Sequence, residues 1–159
     1  MTDLTKKLFT KDSIATPLAT WRTETKKIVF TNGCFDILHH GHIHYLTQAK
    51  HHGDILIIGL NSDRSVSALK GPKRPINQAH SRAIVLGALD VVDAIVIFDE
   101  DTPIDLIQFI QPDIHVKGGD YVATELPEYP IVKRYGGQVI IEPFVEGFST
   151  TGILDQLNS

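Results

Sequence analysis

Two histidines, His39 and His42, bracket Gly41 in the stretch Thr31-Asn32-Gly33-Cys34-Phe35-Asp36-Ile37-Leu38-His39-His40-Gly41-His42. Gly33 and Gly41 let the backbone approach a ligand where a side chain would obstruct it. A histidine can donate a hydrogen bond to a phosphate oxygen at lower cost than burying a lysine. Such a donor is worth most where negative charge grows during a reaction. The chemistry that suits these residues is the handling of phosphate. A short β-branched run, Lys27 to Thr31, precedes the turn, and Ile43, Leu46, Ala49 and Lys50 follow at helical spacing. The turn therefore lies at the carboxyl end of a strand, where open α/β sheets bind ligands. Gly41 stands at a helix start, whose unpaired N–H groups and dipole favour an anion.

A second anion site is Gly147-Phe148-Ser149-Thr150-Thr151, where hydroxyls meet another helix start. Taken alone, it reads equally as a simple N-cap. Between the two lies a basic, turn-rich loop, Lys70-Gly71-Pro72-Lys73-Arg74-Pro75, able to fold over a bound triphosphate. Arg82, on the helix after it, either steadies that loop or binds phosphate. Asn61-Ser62-Asp63 forms a polar cluster at a further strand end. Asp36 is an acid beside an anion site. It meets phosphate only through Mg²⁺, or else it orients loop N–H groups or contacts an acceptor sugar.

Six of the eight histidines fall between His39 and His52. His40 and His44, four apart on one helix face, have a spacing suited to zinc or nickel, so a metal-binding module is an alternative of another class. No cysteine or carboxylate cluster completes such a site. Cys34 is the only cysteine, which excludes an intrachain disulfide, and it reads as a small residue tolerated in a tight loop.

At 159 residues the chain suits a single domain, with residues 1–25 an N-terminal extension and helix packed on a core of 26–159. The net charge of −4 gives no basic face for nucleic acid. No apolar run approaches the roughly 20 residues of a membrane span. Residues 1–12 carry lysines but no apolar signal core, so a cytoplasmic protein is expected.

Strands are expected at 28–31, 55–60, 94–98, 113–117 and 139–141. Helices alternate with them at about 41–51, up to Leu69, at 79–89, from Thr102-Pro103 onward, and at 149–157. A leading helix is expected at 12–25, and a loop with a short helix at 122–135. This order predicts a Rossmann-like α/β fold: a five-stranded parallel sheet with helices on both faces. A dinucleotide dehydrogenase is excluded, because Gly-x-Gly-x-x-Gly does not follow the first of these strands.

The run Gly33-x-Phe35-Asp36-x-x-His39-x-Gly41-His42 resembles the signature of the cytidylyltransferase-like nucleotidyltransferases. Those enzymes transfer a nucleotidyl group from a nucleoside triphosphate to a phosphorylated acceptor. Leu69-Lys70-Gly71-Pro72, Phe98 to Pro103, Lys117-Gly118-Gly119-Asp120-Tyr121 and Val145 to Thr151 are together similar to the D-glycero-β-D-manno-heptose 1-phosphate adenylyltransferase domain.

The resemblance implies catalytic roles for His39, His42 and Lys70. It implies nucleotide contacts for Thr31, Asn32, Gly33, Phe35, Gly41, Lys117, Gly118, Gly119, Asp120, Ser149, Thr150 and Thr151. Acceptor or phosphate contacts fall to Asp36, Asn61, Asp63, Arg74 and Arg82. It further implies ATP with Mg²⁺, a sugar 1-phosphate acceptor, a separate sugar kinase, and a homo-oligomer. No nucleic-acid or membrane partner is expected. One departure is that the arginine which cytidylyltransferases place before the Ser-Thr run is absent, Phe148 standing there instead. That weighs against the alternative of a cytidylyltransferase acting on glycerol 3-phosphate. A nucleotide-binding module without turnover is the other alternative.

Overall fold

The structure, a computed structural model, describes residues 3–159. In chain order the strands are β1 (Leu8–Phe9), β2 (Ile28–Gly33), β3 (Ile55–Asn61), β4 (Ala94–Phe98), β5 (Ile114–Gly118) and β6 (Gln138–Glu142). The helices are α1 (Ala15–Thr23), α2 (His40–His51), α3 (Asp63–Lys70), α4 (Ala79–Gly87), α5 (Ile104–Ile110), α6 (Tyr129–Arg134) and α7 (Thr150–Leu157). The strands form one sheet, order β1-β4-β3-β2-β5-β6, and every pairing is parallel.

The sheet has six strands where the sequence predicts five. The extra strand is β1, two residues long, with Leu8 opposite Ile95 and Phe9 opposite Val96. A two-residue strand has no alternation to read, and the neighbouring β4 creates it. The other elements lie within a few residues of their predicted bounds. One cap differs: Pro103 itself is the N-cap of α5 and offers no side-chain cap, so the helix starts after the Thr-Pro pair.

Burial is nearly continuous along the central strands, as a parallel sheet covered on both faces requires, and successive side chains go to opposite faces. Ile28, Phe30, Ile55, Ile57, Ala94 and Val96 pack on one face with Ile14 and Leu18 of the α1 region, with Leu106, Ile107 and Ile110 of α5, and with Val132 of α6. Val29, Leu56, Ile58, Leu60 and Ile95 pack on the other with Leu46 and Ala49 of α2 and with Ala83 and Leu86 of α4. Ile43, counted with the apolar face of α2 by spacing, is instead 37% exposed. Among the described residues no helix is long and apolar enough to cross a membrane.

His115 of β5 is fully buried against the Phe30 ring, and neither of its ring nitrogens has a hydrogen-bond partner. Burial pushes its pKa down; the charge of Glu128 opposes this shift and that of Lys117 adds to it. Burial likewise lowers His42 to about 4. Below the ordinary histidine pKa of about 6.5 the unfolded chain binds protons that the folded chain refuses, so stability falls with pH from there toward 4. Melting at pH 5 is therefore expected several degrees below that at pH 7, at roughly 2–4 °C per kcal/mol for a chain of this size. His115→Leu should flatten that dependence in a thermal scan. An unchanged slope would place the missing proton elsewhere.

Candidate active site

β2 and β5 are neighbours, yet α2, which follows β2, packs on one face of the sheet, while α6, which follows β5, packs on the other. That divergence opens a crevice at the carboxyl ends of the two strands. A cavity of about 580 Å³ occupies it. Its walls come from the turn after β2, the end of α3 with the basic loop, the end of β5, and the segment leading into α7.

His39 is the N-cap of α2 in extended backbone, and its side chain caps nothing. It is free to stack on His42, with ring centroids 3.9 Å apart. Phe35 lies beside His42 at 5.3 Å. Burial lowers both histidines, and the neighbouring imidazoles add to it, His40 acting on His39 and His39 on His42, so both are neutral at pH 7. The Nδ1 atoms of both are buried without a partner. A neutral imidazole keeps one N–H donor, so the pair can meet an anion without carrying buried charge in its absence. Gly41 is required by close approach: a Cβ there would lie 3.0 Å from Phe148 Cβ and 3.1 Å from the His39 ring.

The second helix start faces the same cavity. Ser149 is the N-cap of α7, its Oγ accepting from Gly152 N at 2.9 Å. Thr150 Oγ1 donates to Ile37 O at 3.2 Å, which ties α7 to the histidine turn. Ser149, Thr150 and Thr151 all line the cavity, as do His39, Gly41 and His42.

Lys70 and Arg74 also line the cavity. Arg74 Nε donates to Asp36 Oδ2 at 2.6 Å, and the same carboxylate accepts from Ile76 N and Asn77 N at 2.8 to 2.9 Å. Burial alone would raise the Asp36 pKa, but these donors outweigh it and hold the carboxyl below its usual range. Of the roles open to Asp36 in the sequence, the structure supports the orientation of loop N–H groups. Its oxygens are committed, and among the described residues no three His, Cys, Asp or Glu side chains are grouped to hold a metal ion. A Mg²⁺ site built from protein ligands does not fit. His40 and His44 lie near one another, ring centroids 6.5 Å apart, without a third ligand.

Arg82 does not line the cavity, and its hydrogen bonds fit the loop-steadying role. Its side chain is fully buried, with Nε on Asn77 O, Nη1 on Cys34 O and Asn61 O, and Nη2 on Asp63 Oδ1, at 2.7 to 2.8 Å. Asp63 Oδ1 accepts from Arg82 and from Ala79 N, and the residue does not line the cavity. Asn61 reaches the lining while its Nδ2 donates to Ser65 Oγ.

Asn32, Gly33, Phe35, Lys117 and Gly118 all line the cavity. Three expected nucleotide contacts do not. Thr31 is buried and its hydroxyl pairs with the Tyr45 hydroxyl at 2.6 Å, so it steadies a lining residue instead. Gly119 gives its N–H to Glu142 O at 2.9 Å, and Asp120 points to solvent.

Sequence reasoning missed Tyr45, Leu69, Phe144 and Val145 as lining residues, and gave Cys34 and Phe148 no contact. One signal was available for Phe144, a large apolar residue just before a glycine-hydroxyl turn. It packs on Gly118 and Gly119, where an added Cβ would meet its ring at 3.0 Å. Burial pushes the Cys34 thiol up despite the nearby Lys70, Arg82 and Arg74, which does not suit a nucleophile.

Comparison with known proteins agrees with this geometry. The chain is 51% identical over 148 residues to the bifunctional protein HldE of Methylobacillus flagellatus, covering 93% of this chain and 30% of that protein. It is 49% identical over 155 residues to HldE of Geobacter metallireducens, covering 98% of this chain and 32% of that protein. The chain thus spans about a third of the length of these curated relatives. A lipopolysaccharide core biosynthesis protein of Thermoplasma volcanium has a similar crystal structure, with TM-score 0.60, 31% identity, and coverage of 76% of this chain and 97% of that one. A pantoate-β-alanine ligase of Francisella tularensis shares the fold alone, with TM-score 0.56 and 16% identity over 95% of this chain and 77% of that one. The cytidylyltransferase-like family pattern matches residues 30–154, from the strand that delivers the histidine turn through most of α7. With the signature, the crevice and these relatives in agreement, the chain belongs to the cytidylyltransferase-like family.

Proposed function

We propose that the chain transfers AMP from ATP to D-glycero-β-D-manno-heptose 1-phosphate, releasing pyrophosphate and giving ADP-heptose. One observation carries the nucleotidyl-transfer reading: two helix starts, a histidine pair, Lys70 and Arg74 all line a single cavity. A triphosphate on the helix starts and an acceptor phosphate on the two cations would meet within it. The heptose is supported by the Lys117-Gly118-Gly119-Asp120-Tyr121 run and by the similarity to HldE proteins.

An acceptor phosphate oxygen attacks the α-phosphorus in line, and the bond from that phosphorus to the bridging oxygen of the β-phosphate breaks. The acceptor is already ionised at pH 7, so no strong base is needed, and catalysis rests on alignment and charge stabilisation. His39, His42 and the α7 start hold the β- and γ-phosphates, where negative charge develops on the leaving pyrophosphate. Lys70 and Arg74 hold the acceptor phosphate. Asp36, by gripping the Arg74 guanidinium and two loop N–H groups, fixes where the basic loop stands. Magnesium enters as part of the substrate, bound to the triphosphate of ATP. A sugar kinase supplies the acceptor, and the active form is a homo-oligomer.

The test is pyrophosphate release by the purified chain with Mg²⁺, with ATP, CTP and GTP each offered β-heptose 1-phosphate or glycerol 3-phosphate. Release confined to ATP with the heptose supports the reading. Release with CTP and glycerol phosphate overturns the substrates, and silence in every pairing overturns the activity.

A further inference from the structure

Glu128 is 4% exposed and is the N-cap of α6, beside a fully buried His115. Its Oε1 lies 3.5 Å from Lys117 Nζ, and its Oε2 has no hydrogen-bond partner. Lys117 lines the cavity, with its ammonium 5.9 Å from the centroid of the Tyr121 ring, another lining residue. His115 and Lys117 are two apart on β5 and so project to the same face of the sheet. A carboxylate in such a place is costly unless an ion answers it, and Lys117 is the cation within ion-pair distance.

The consequence bears on what Lys117 can do. Held between a buried carboxylate and an aromatic face, its ammonium is kept at the end of β5. Its charge is largely answered by Glu128, so it adds little to the field that holds a triphosphate. What remains is a directed N–H donor beside Gly118 and Tyr121, suited to an acceptor atom on the nucleoside. The buried carboxylate is the group that aims it.

We propose that Glu128 is a positioning residue for nucleotide binding, acting through Lys117 at the nucleoside end of the cavity; this rests on the nucleotidyl-transfer reading. The experiment is calorimetric titration of ATP with Mg²⁺ into the wild type, Glu128→Gln, Lys117→Met and the double variant, with pyrophosphate release measured alongside. Glu128→Gln keeps the side-chain volume and removes the charge. It is expected to weaken ATP binding about tenfold and to raise the ATP KM similarly, with kcat at saturation changed less than about threefold. The double variant should bind ATP no more weakly than Lys117→Met alone, because Glu128 has nothing left to aim. That lack of additivity would not arise if Glu128 only stabilised the fold.

Full additivity, or unchanged ATP binding in Glu128→Gln, overturns the proposal. Should Glu128→Gln fail to fold, Glu128→Asp withdraws the carboxylate by one methylene and must still weaken ATP binding severalfold, an unchanged affinity again overturning it. A wild type that neither binds ATP nor releases pyrophosphate overturns the adenylyl-transfer reading and this inference with it. A wild type that binds and turns over while Glu128→Gln behaves identically overturns the inference alone.

Discussion

His42→Ala is expected to lower kcat by about 10²–10³ while leaving a folded protein, since that is the usual loss when a preorganised donor to a developing anion is removed. His42 sits at the start of α2, stacked on His39, with its pKa lowered to about 4 by burial. It is neutral when the site is empty. An arriving triphosphate favours the protonated form, and the growing charge on the pyrophosphate favours it further. The interaction therefore strengthens as the reaction proceeds, and its loss falls on kcat more than on the ATP KM.

Stability should change far less, because the ring is only partly buried and its Nδ1 makes no bond whose loss would leave a buried partner orphaned. Steady-state rates of pyrophosphate release, with a thermal melt of the same preparation, decide the matter. An unchanged kcat in a variant that melts normally would remove His42 from the mechanism. His39→Ala should behave similarly but less severely, since that ring is nearer solvent.

The histidine turn and both helix starts were legible in the sequence because each is a local pattern: a β-branched run, a glycine, and a polar residue ahead of helical periodicity. The strand order was legible only as a class, since alternation of strands and helices implies a parallel sheet without stating which strands touch. β1 escaped because two residues carry no period, and the pairing of Leu8 with Ile95 spans most of the chain. Arg82 was read as steadying the basic loop or binding phosphate, and Asp63 as part of a polar cluster at a strand end. What decides their role is the set of carbonyls around the guanidinium, from Cys34, Asn61 and Asn77, which meet only after folding. Thr31 failed similarly, as its partner Tyr45 lies across the turn. Phe144 and Val145 carry no polar pattern, and only the packing of Phe144 on Gly118 and Gly119 brings them to the cavity.

Arg82→Met is expected to be the most destabilising single change near the site, by about 3–5 kcal/mol, because the buried guanidinium serves three backbone carbonyls at once. The guanidinium touches no cavity space, yet it joins three segments: the turn after β2 through Cys34, the end of β3 through Asn61, and the lead into α4 through Asn77. Methionine fills much of the same volume but leaves these carbonyls without a donor, and each buried orphan costs on the order of 1–3 kcal/mol. The melting temperature should fall by roughly 6–20 °C, at 2–4 °C per kcal/mol for a chain of this size. Arg82→Lys should recover little, because an ammonium is a point donor and cannot span acceptors on three segments as a planar fork does. Activity should fall as well, even below the lowered melting point, since Asn77 also holds Asp36, and Asp36 holds Arg74. A variant that melts like the wild type would show that the carbonyls find other donors, and that the three segments are fixed by the sheet rather than by this side chain.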